Sequence, residues 1–467
     1  MRHDAQNFCR TKTMLKEADA GSQPRFRLRR CIWIQNRPMT TNLQTSGTAR
    51  MHWLEADQAC SAQWRSERGA SPPKRVVLAD DRLTADAAYR LACEGTALLW
   101  RGDFQNARQM LHALVRRADA SGPGGKAAKG AKRPRPVATA PEPVAINLVA
   151  TQVDSTGALA AKSFHLHRQA QAQRARVLGM LLIGFEADYR IALKRAPDTR
   201  EACAQAWGAP GADATACVAS LRELLGLISA HEWRKNGVEV PALGAAPHNR
   251  IHPHYGVFSP QRGEYVNLVQ QASLPMAQAA QAAATLTAFD IGVGSGVLSV
   301  VLARRGVGRI VATDLDPRAL ACAQDNLQRL GLAGPGVQLL QTSLFPPGLA
   351  HVIVCNPPWL PARASAPIER AVYDEGSGML LGFLAGLAAH LEPGGEGWLV
   401  LSDLAEHLGL RSRTELLDAI AAAGLQVLGR LDAKPVHGKV FDTTDPLHAA
   451  RAAEVTSLWR LAAAPSG

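Results

Sequence analysis

The sequence predicts an α/β fold: a Rossmann-like, doubly wound sheet in the C-terminal half, preceded by a mostly α-helical N-terminal region. Three observations predict it. After Pro241, seven short apolar runs alternate with helix-length segments, the pattern of repeated βα units. The first of those runs ends in Asp290-Ile-Gly292-Val-Gly294-Ser-Gly296, a glycine-rich turn between a strand and a helix. Before residue 240 the apolar residues recur at helical rather than alternating spacing.

A chain of 467 residues exceeds a single core and divides into two or three domains. Its 47% hydrophobic and 20% charged residues are those of a globular protein. The net charge of +12 is unevenly placed: residues 1–249 carry 36 Lys+Arg against 22 Asp+Glu, and residues 250–467 carry 16 against 18. A basic N-terminal half attracts phosphate backbones, although Arg-rich helices also simply solvate well. The eight cysteines, at 9, 31, 60, 93, 203, 217, 322 and 355, contain no C-x-x-C pair. That spacing suggests neither a zinc site nor a redox motif, and scattered single cysteines fit a reducing cytoplasm. No apolar run reaches the roughly 18 residues needed to span a bilayer, and the N-terminus lacks the apolar core of a signal peptide. The expectation is a cytoplasmic protein with no membrane or metal partner.

Residues 1–70 are polar and aperiodic and are expected to be disordered, with Met39 and Met51 as alternative starts. Residues 71–240 are expected to form the mostly helical domain. Leu91, Leu98 and Leu99, then Met110, Leu111 and Leu114, predict two helices over 84–117, with Asp103 capping the second. Residues 122–143, rich in Gly, Pro and Ala with Lys126, Lys129, Lys132, Arg133 and Arg135, read as a basic tether. Val177, Leu178, Leu181, Leu182 and Phe185 predict the buried face of a helix over 164–194, and a further helix is expected from about 214 to 233.

The third domain is expected over 241–467. Its strands are placed at 286–291, 309–313, 337–341, 351–355, 397–402, 426–431 and 455–461, and its helices at 295–304, 317–330, 377–391 and 411–423. Gly292, Gly294 and Gly296 let the backbone turn tightly or approach a ligand with no Cβ in the way. Their G-x-G-x-G spacing differs from the G-x-G-x-x-G of dinucleotide sites. Asp290 adds an acid just before them, which repels a pyrophosphate but suits a ligand carrying a sulfonium and an amine. This favours S-adenosylmethionine over NAD. Asp314 ends the second strand, where an acid can accept ribose hydroxyls. Asp316, next to Pro317, reads as the N-cap of the following helix, and Leu315 would lie against the adenine. His252 and His254 read as surface residues.

Asn356-Pro357-Pro358-Trp359 follows the fourth strand, 66 positions after Asp290. In a doubly wound sheet it faces the same carboxyl edge as the glycine turn. The Asn356 side-chain oxygen and the Pro357 carbonyl can each accept a proton from a planar NH2 group, which aims the nitrogen lone pair at a methyl donor. The same acceptors stabilise the positive charge that develops. Trp359 can stack on the planar acceptor. On these residues, 250–465 resembles the class I S-adenosylmethionine-dependent methyltransferases of the small-domain type. That group includes HemK-like release-factor glutamine methyltransferases and ribosomal-RNA guanine-N2 methyltransferases. Residues 256–264 resemble the lead-in segment of that family, and 311–330 its second motif.

The resemblance implies a seven-stranded domain in which Asp290, Gly292, Gly294, Gly296, Asp314, Leu315, Ser343 and Asn356 line the cofactor site. It also implies that Asn356, Pro357, Pro358 and Trp359 form the catalytic motif. Two positions depart from the family: Trp359 stands where relatives have Tyr or Phe, and Ser343 where many have Asp. The implied activity is methylation of a planar amino or amide nitrogen, in RNA (ribosomal RNA in particular) or in a glutamine of a translation-related protein. A catalytically silent RNA-binding protein and a small-metabolite methyltransferase are the alternatives.

Overall fold

The computed structural model describes residues 49–120, 152–275, 283–364, 367–436 and 438–465. The disorder expected before residue 49 and the basic tether of 122–143 fall outside the described residues.

The N-terminal region is α/β rather than mostly helical, and the segment from 50 to 64, expected to be disordered, is a β-hairpin. Its strands are β1 (Arg50–Glu55), β2 (Gln58–Trp64), β3 (Arg75–Ala79), β4 (Thr96–Trp100), β5 (Leu181–Phe185) and β6 (Cys217–Ser220). They form one sheet in the order β1-β2-β6-β5-β4-β3. Five helices accompany it: α1 (Ala85–Cys93), α2 (Phe104–Ala120), α3 (Gln152–Leu178), α4 (Arg200–Trp207) and α5 (Leu221–Asn236). Leu98 and Leu99 therefore lie in β4, and Leu181, Leu182 and Phe185 in β5, not on helices. The helix starts follow local capping: Thr84 accepts the Ala87 N–H, Ser220 accepts the Glu223 N–H at 3.1 Å, and the Asp103 carboxylate accepts the Gln105 N–H at 2.8 Å. Arg101, just past β4, pairs with Glu55 at the end of β1 at 2.6 Å, so the sheet curls and brings these ends together. Leu98, Trp100, Phe104, Leu114, Ile183 and Leu224 pack in the core between the sheet and its helices.

A two-stranded ribbon, β7 (Val238–Glu239) with β8 (Arg250–Ile251), leads into the C-terminal half. There the strands are β9 (Thr287–Ile291), β10 (Arg309–Asp314), β11 (Val337–Gln341), β12 (Ala350–Cys355), β13 (Leu391–Ser402), β14 (Leu425–Ala433) and β15 (Thr456–Ala463). Their order is β11-β10-β9-β12-β13-β15-β14, with β15 antiparallel to both neighbours and the other pairings parallel. The helices are α6 (Glu264–Gln271), α7 (Val297–Arg304), α8 (Pro317–Arg329), α9 (Gly378–His390), α10 (Leu404–His407), α11 (Arg413–Ala422) and α12 (His448–Ala453). The central strands are buried on both faces: Ala288 and Val354 pack toward α6 and α7, while Phe289 and Ile353 pack toward α9 and α11. The chain runs outward from β9 through β10 to β11, then returns to β12 on the other side of β9. The switch point of the sheet thus lies between β9 and β12, where open α/β sheets leave a crevice.

Candidate active site

Cys355 pairs with Ile291, so Asn356 and Gly292 leave neighbouring parallel strands at the same level of the sheet. The glycine turn and the Asn-Pro-Pro-Trp motif therefore meet at the switch point.

All three glycines have positive φ: 77° at Gly292, 52° at Gly294 and 82° at Gly296. At two of them space is also short. A Cβ on Gly292 would fall 2.5 Å from Met379 Cε, and one on Gly296 would lie 3.1 Å from Ala323 Cα. Gly292 and Val293 both donate to the Thr313 carbonyl, at 2.9 and 2.8 Å, which ties the turn to β10. Asn326, fully buried on α8, holds the turn from beneath: its amide donates to the Ser295 carbonyl at 3.0 Å and its oxygen accepts the His252 N–H at 2.7 Å.

Asp314 accepts the Gly294 N–H at 3.1 Å on one oxygen and the Asp316 N–H at 2.9 Å on the other. Burial raises its carboxyl above the usual range, against the pull of these N–H groups. Asp316 caps α8, as expected, by accepting the Arg318 N–H at 2.9 Å. Leu315 is 64% exposed beside this turn, an apolar side chain left open. Ser343 is exposed two residues beyond Gln341, which pairs with Asp314 across the edge strands. Asp290 behaves differently from its neighbours. Its carboxylate is 1% exposed, accepts the Ser299 hydroxyl at 2.6 Å, and lies under the turn rather than on its surface. Burial raises its carboxyl from 3.8 to about 6.

In the motif, the Trp359 indole N–H donates to Asn356 Oδ1 at 2.8 Å. Trp359 is half-buried, and the Arg262 guanidinium lies 5.4 Å from its ring centre. Arg262 is held in turn by Glu454, 3.0 Å away and 1% exposed on its side chain. Asp374 caps α9 through the Met379 N–H at 2.8 Å.

The structure thus brings the glycines, Asp314, Leu315 and Asn356 to Trp359 together at one edge, sets Ser343 at the rim, and sinks Asp290 beneath. His252 and His254 are not surface residues: both are half-buried, and His254 Nε2 lies 2.7 Å from Asp325. Arg262, Met379 and Asn326 are additions. Arg262 lies inside the lead-in segment, but nothing in the spacing of Met379 or Asn326 marks them. Among the described residues no group of His, Cys, Asp and Glu is arranged to hold a metal ion.

Residues 271–382, which span both the glycine turn and the Asn-Pro-Pro-Trp motif, match the family model described as ribosomal protein L11 methyltransferase (PrmA). The C-terminal half is a class I methyltransferase domain. Among sequence relatives of the chain, the ribosomal protein L11 methyltransferase of Pelotomaculum thermopropionicum is 47% identical over 72 residues, 15% of this chain and 23% of that protein. The release factor glutamine methyltransferase of Cereibacter sphaeroides is 33% identical over 171 residues, 34% of this chain and 60% of that protein. The chain spans less than two thirds of the length of either relative. The ribosomal protein L11 methylase structure from Lactobacillus delbrueckii subsp. bulgaricus is 19% identical and covers 43% of this chain and 78% of that one, with a TM-score of 0.29. The family-model match over 271–382, rather than that likeness, carries the assignment.

Proposed function

We propose that this chain is an S-adenosylmethionine-dependent N-methyltransferase whose acceptor is a planar amide or amino nitrogen of a translation-related protein. The observation that carries this reading is that Gly292 and Asn356 follow the paired ends of β9 and β12, Ile291 and Cys355. This pairing sets a nucleoside-sized turn beside a carbonyl-type acceptor for an NH2 group. The relatives named above, which modify a ribosomal protein and release factors by name, support the acceptor class.

The residues fit the cofactor. Gly294 has positive φ with no atom crowding the space a Cβ would take, Leu315 offers an open apolar surface for a purine, and Asp314 has lone pairs beyond the two N–H groups it accepts. The buried negative charge of Asp290 favours a cationic ligand above it. When bound, S-adenosylmethionine supplies an electrophilic methyl group. Asn356 Oδ1 keeps one lone pair beyond the bond from Trp359, and with the Pro357 carbonyl it holds the two hydrogens of the acceptor nitrogen. The nitrogen lone pair is then directed at the methyl group, and the growing positive charge faces two oxygens. No strong base is needed, because the proton leaves after transfer. With such an acceptor the enzyme works in the cytoplasm. Among the described residues no helix is long and apolar enough to cross a membrane.

RNA is the rival acceptor, and the basic excess that favours it lies mostly elsewhere. Residues 1–48 and 121–151 carry 14 of the 36 basic and 4 of the 22 acidic residues of the N-terminal half. The described part of that half keeps 22 basic against 18 acidic residues, a net of +4. The test adds purified protein and radiolabelled S-adenosylmethionine to an extract from cells lacking the gene, then splits the products. Label removed by protease is the expected result. Label removed by RNase would make the acceptor RNA, and label in neither would favour a small metabolite or a silent fold.

A further inference from the structure

Helix α3 belongs to the N-terminal sheet at one end and to the active-site edge at the other. Its C-terminal end is fixed on the N-terminal domain. Arg174 pairs with Asp119 of α2 at 2.6 Å, Arg176 donates to the Cys93 carbonyl of α1 at 3.4 Å, and Val177 and Leu178 are buried. Its other half lies on the methyltransferase domain. Gly157 meets Gly409 so closely that a Cβ on Gly409 would strike the Gly157 carbonyl. Phe164 is 2% exposed among Leu360, Leu404, Ala405, Leu408 and Leu447. One turn further, the Arg168 guanidinium donates to the Arg363 carbonyl at 2.7 Å, stands 3.7 Å from the Glu369 carboxylate and lies 4.0 Å from the centre of the Tyr373 ring. Positions 157, 164 and 168 are separated by two turns and then one, so all three lie on one face of the helix.

Arg363, Glu369 and Tyr373 belong to the segment that leaves the Asn-Pro-Pro-Trp motif. Its base is closed by two backbone bonds, Leu360 N–H to the Val372 carbonyl at 3.0 Å and Asp374 N–H to the Leu360 carbonyl at 2.9 Å. Beyond the base, Asp374 caps α9 at Met379, whose side chain packs under Gly292. Arg168 therefore cross-links a loop whose entrance carries Trp359 and whose exit supports the glycine turn. An arginine suits this place, because its plane stacks on an aromatic ring while its N–H edge bonds a carbonyl and a carboxylate.

We propose that Arg168 is a positioning residue for methyl transfer: through α3, the N-terminal domain sets the placement of residues 359–364 and 367–374. This rests on the assignment of that edge as a methyl-transfer centre. The test compares the full-length protein with Arg168→Ala and Arg168→Lys, each with S-adenosylhomocysteine bound. Hydrogen exchange is followed by mass spectrometry on these complexes, and transfer from radiolabelled S-adenosylmethionine into extract protein is measured separately, without S-adenosylhomocysteine. In Arg168→Ala, amides of 359–364 and 367–374 exchange at least about tenfold faster, which corresponds to about 1.4 kcal/mol. Amides of β9, β10 and α8 stay unchanged, as does S-adenosylhomocysteine affinity. Transfer falls about tenfold, and Arg168→Lys restores only part of it because an ammonium does not stack as a plane. Unchanged protection of 359–364 and 367–374 overturns the proposal, as does faster exchange throughout the chain, or faster exchange with undiminished transfer. If the wild type transfers no label, the functional reading fails, while the exchange data still decide whether Arg168 orders the loop.

Discussion

Asn356 already holds one donor, the Trp359 indole, and this gives the departure at position 359 a physical meaning. A side-chain amide rotates unless something fixes it, and a bond from Trp359 Nε1 makes the oxygen, not the NH2, face the ring. Trp359→Phe keeps a ring for Arg262 to cover but removes the N–H. A neutral hydrogen bond contributes about 0.5–1.5 kcal/mol, so transfer is expected to fall about two- to tenfold with cofactor affinity unchanged. Initial rates beside calorimetry check this, and a full wild-type rate would show that the indole N–H does not orient Asn356. Asp290 titrates in an accessible range. Its carboxyl is raised to about 6 by burial, so it loses its charge as pH falls through 6. Affinity for the cationic cofactor is expected to fall between pH 7 and 5, and part of that slope should vanish in Asp290→Asn. Asp314, also raised by burial, supplies the remainder. The effect on folding has the opposite sign. A carboxyl whose folded value lies above its unfolded value adds stability that is complete below about pH 4 and lost as pH rises through 6. Calorimetry and thermal melts across pH separate the two.

Among the elements, Gly292 is the most exposed to a simple test. Its φ of 77° and the nearby Met379 Cε both oppose a side chain. Gly292→Ala is expected to destabilise the protein by about 1–3 kcal/mol, through backbone strain and overpacking. Met379→Ala in the same chain should restore the overpacking part only, and urea midpoints of the two single variants and the double variant measure that coupling. All seven C-terminal strands and four of the helices were legible, to within two residues except β13, which begins at Leu391 rather than 397; α6, α10 and α12 were not placed, being short and outside the regular alternation. The N-terminal strands were not legible, for local reasons. Thr96–Trp100 is buried at every position, so it has no alternation to betray a strand. Leu181–Phe185 follows α3 after only two residues, and its leucines continue the helical spacing of Val177 and Leu178. The β1–β2 hairpin turns on Ala56 and Asp57, both at positive φ, where the recognisable signal is Asn-Gly. At the site, the glycines, Asp314 and Asn356 announced themselves by position after a strand. Arg168 and Asn326 act from distant parts of the chain, and their roles appear only when helices are packed.

For the whole molecule, two sheets of different topology are linked by α3, which packs on the segment that follows the Asn-Pro-Pro-Trp motif. The described N-terminal domain carries a net charge of only +4 of the +14 in its half of the chain, and it reaches the methyltransferase domain through α3 and through Asp325, which lies 3.2 Å from Arg234 and 2.7 Å from His254. The most direct measurement compares the wild type with Asn356→Ala at the full-length level. Both are given radiolabelled S-adenosylmethionine and extract from cells lacking the gene, and both are titrated with S-adenosylhomocysteine by calorimetry. The wild type is expected to label protein, and Asn356→Ala to bind the ligand within about twofold while transferring at least about a hundredfold less, close to 2.7 kcal/mol. Transfer by Asn356→Ala at the wild-type rate, or no ligand binding by the wild type, would contradict the assignment of this edge as a methyl-transfer centre.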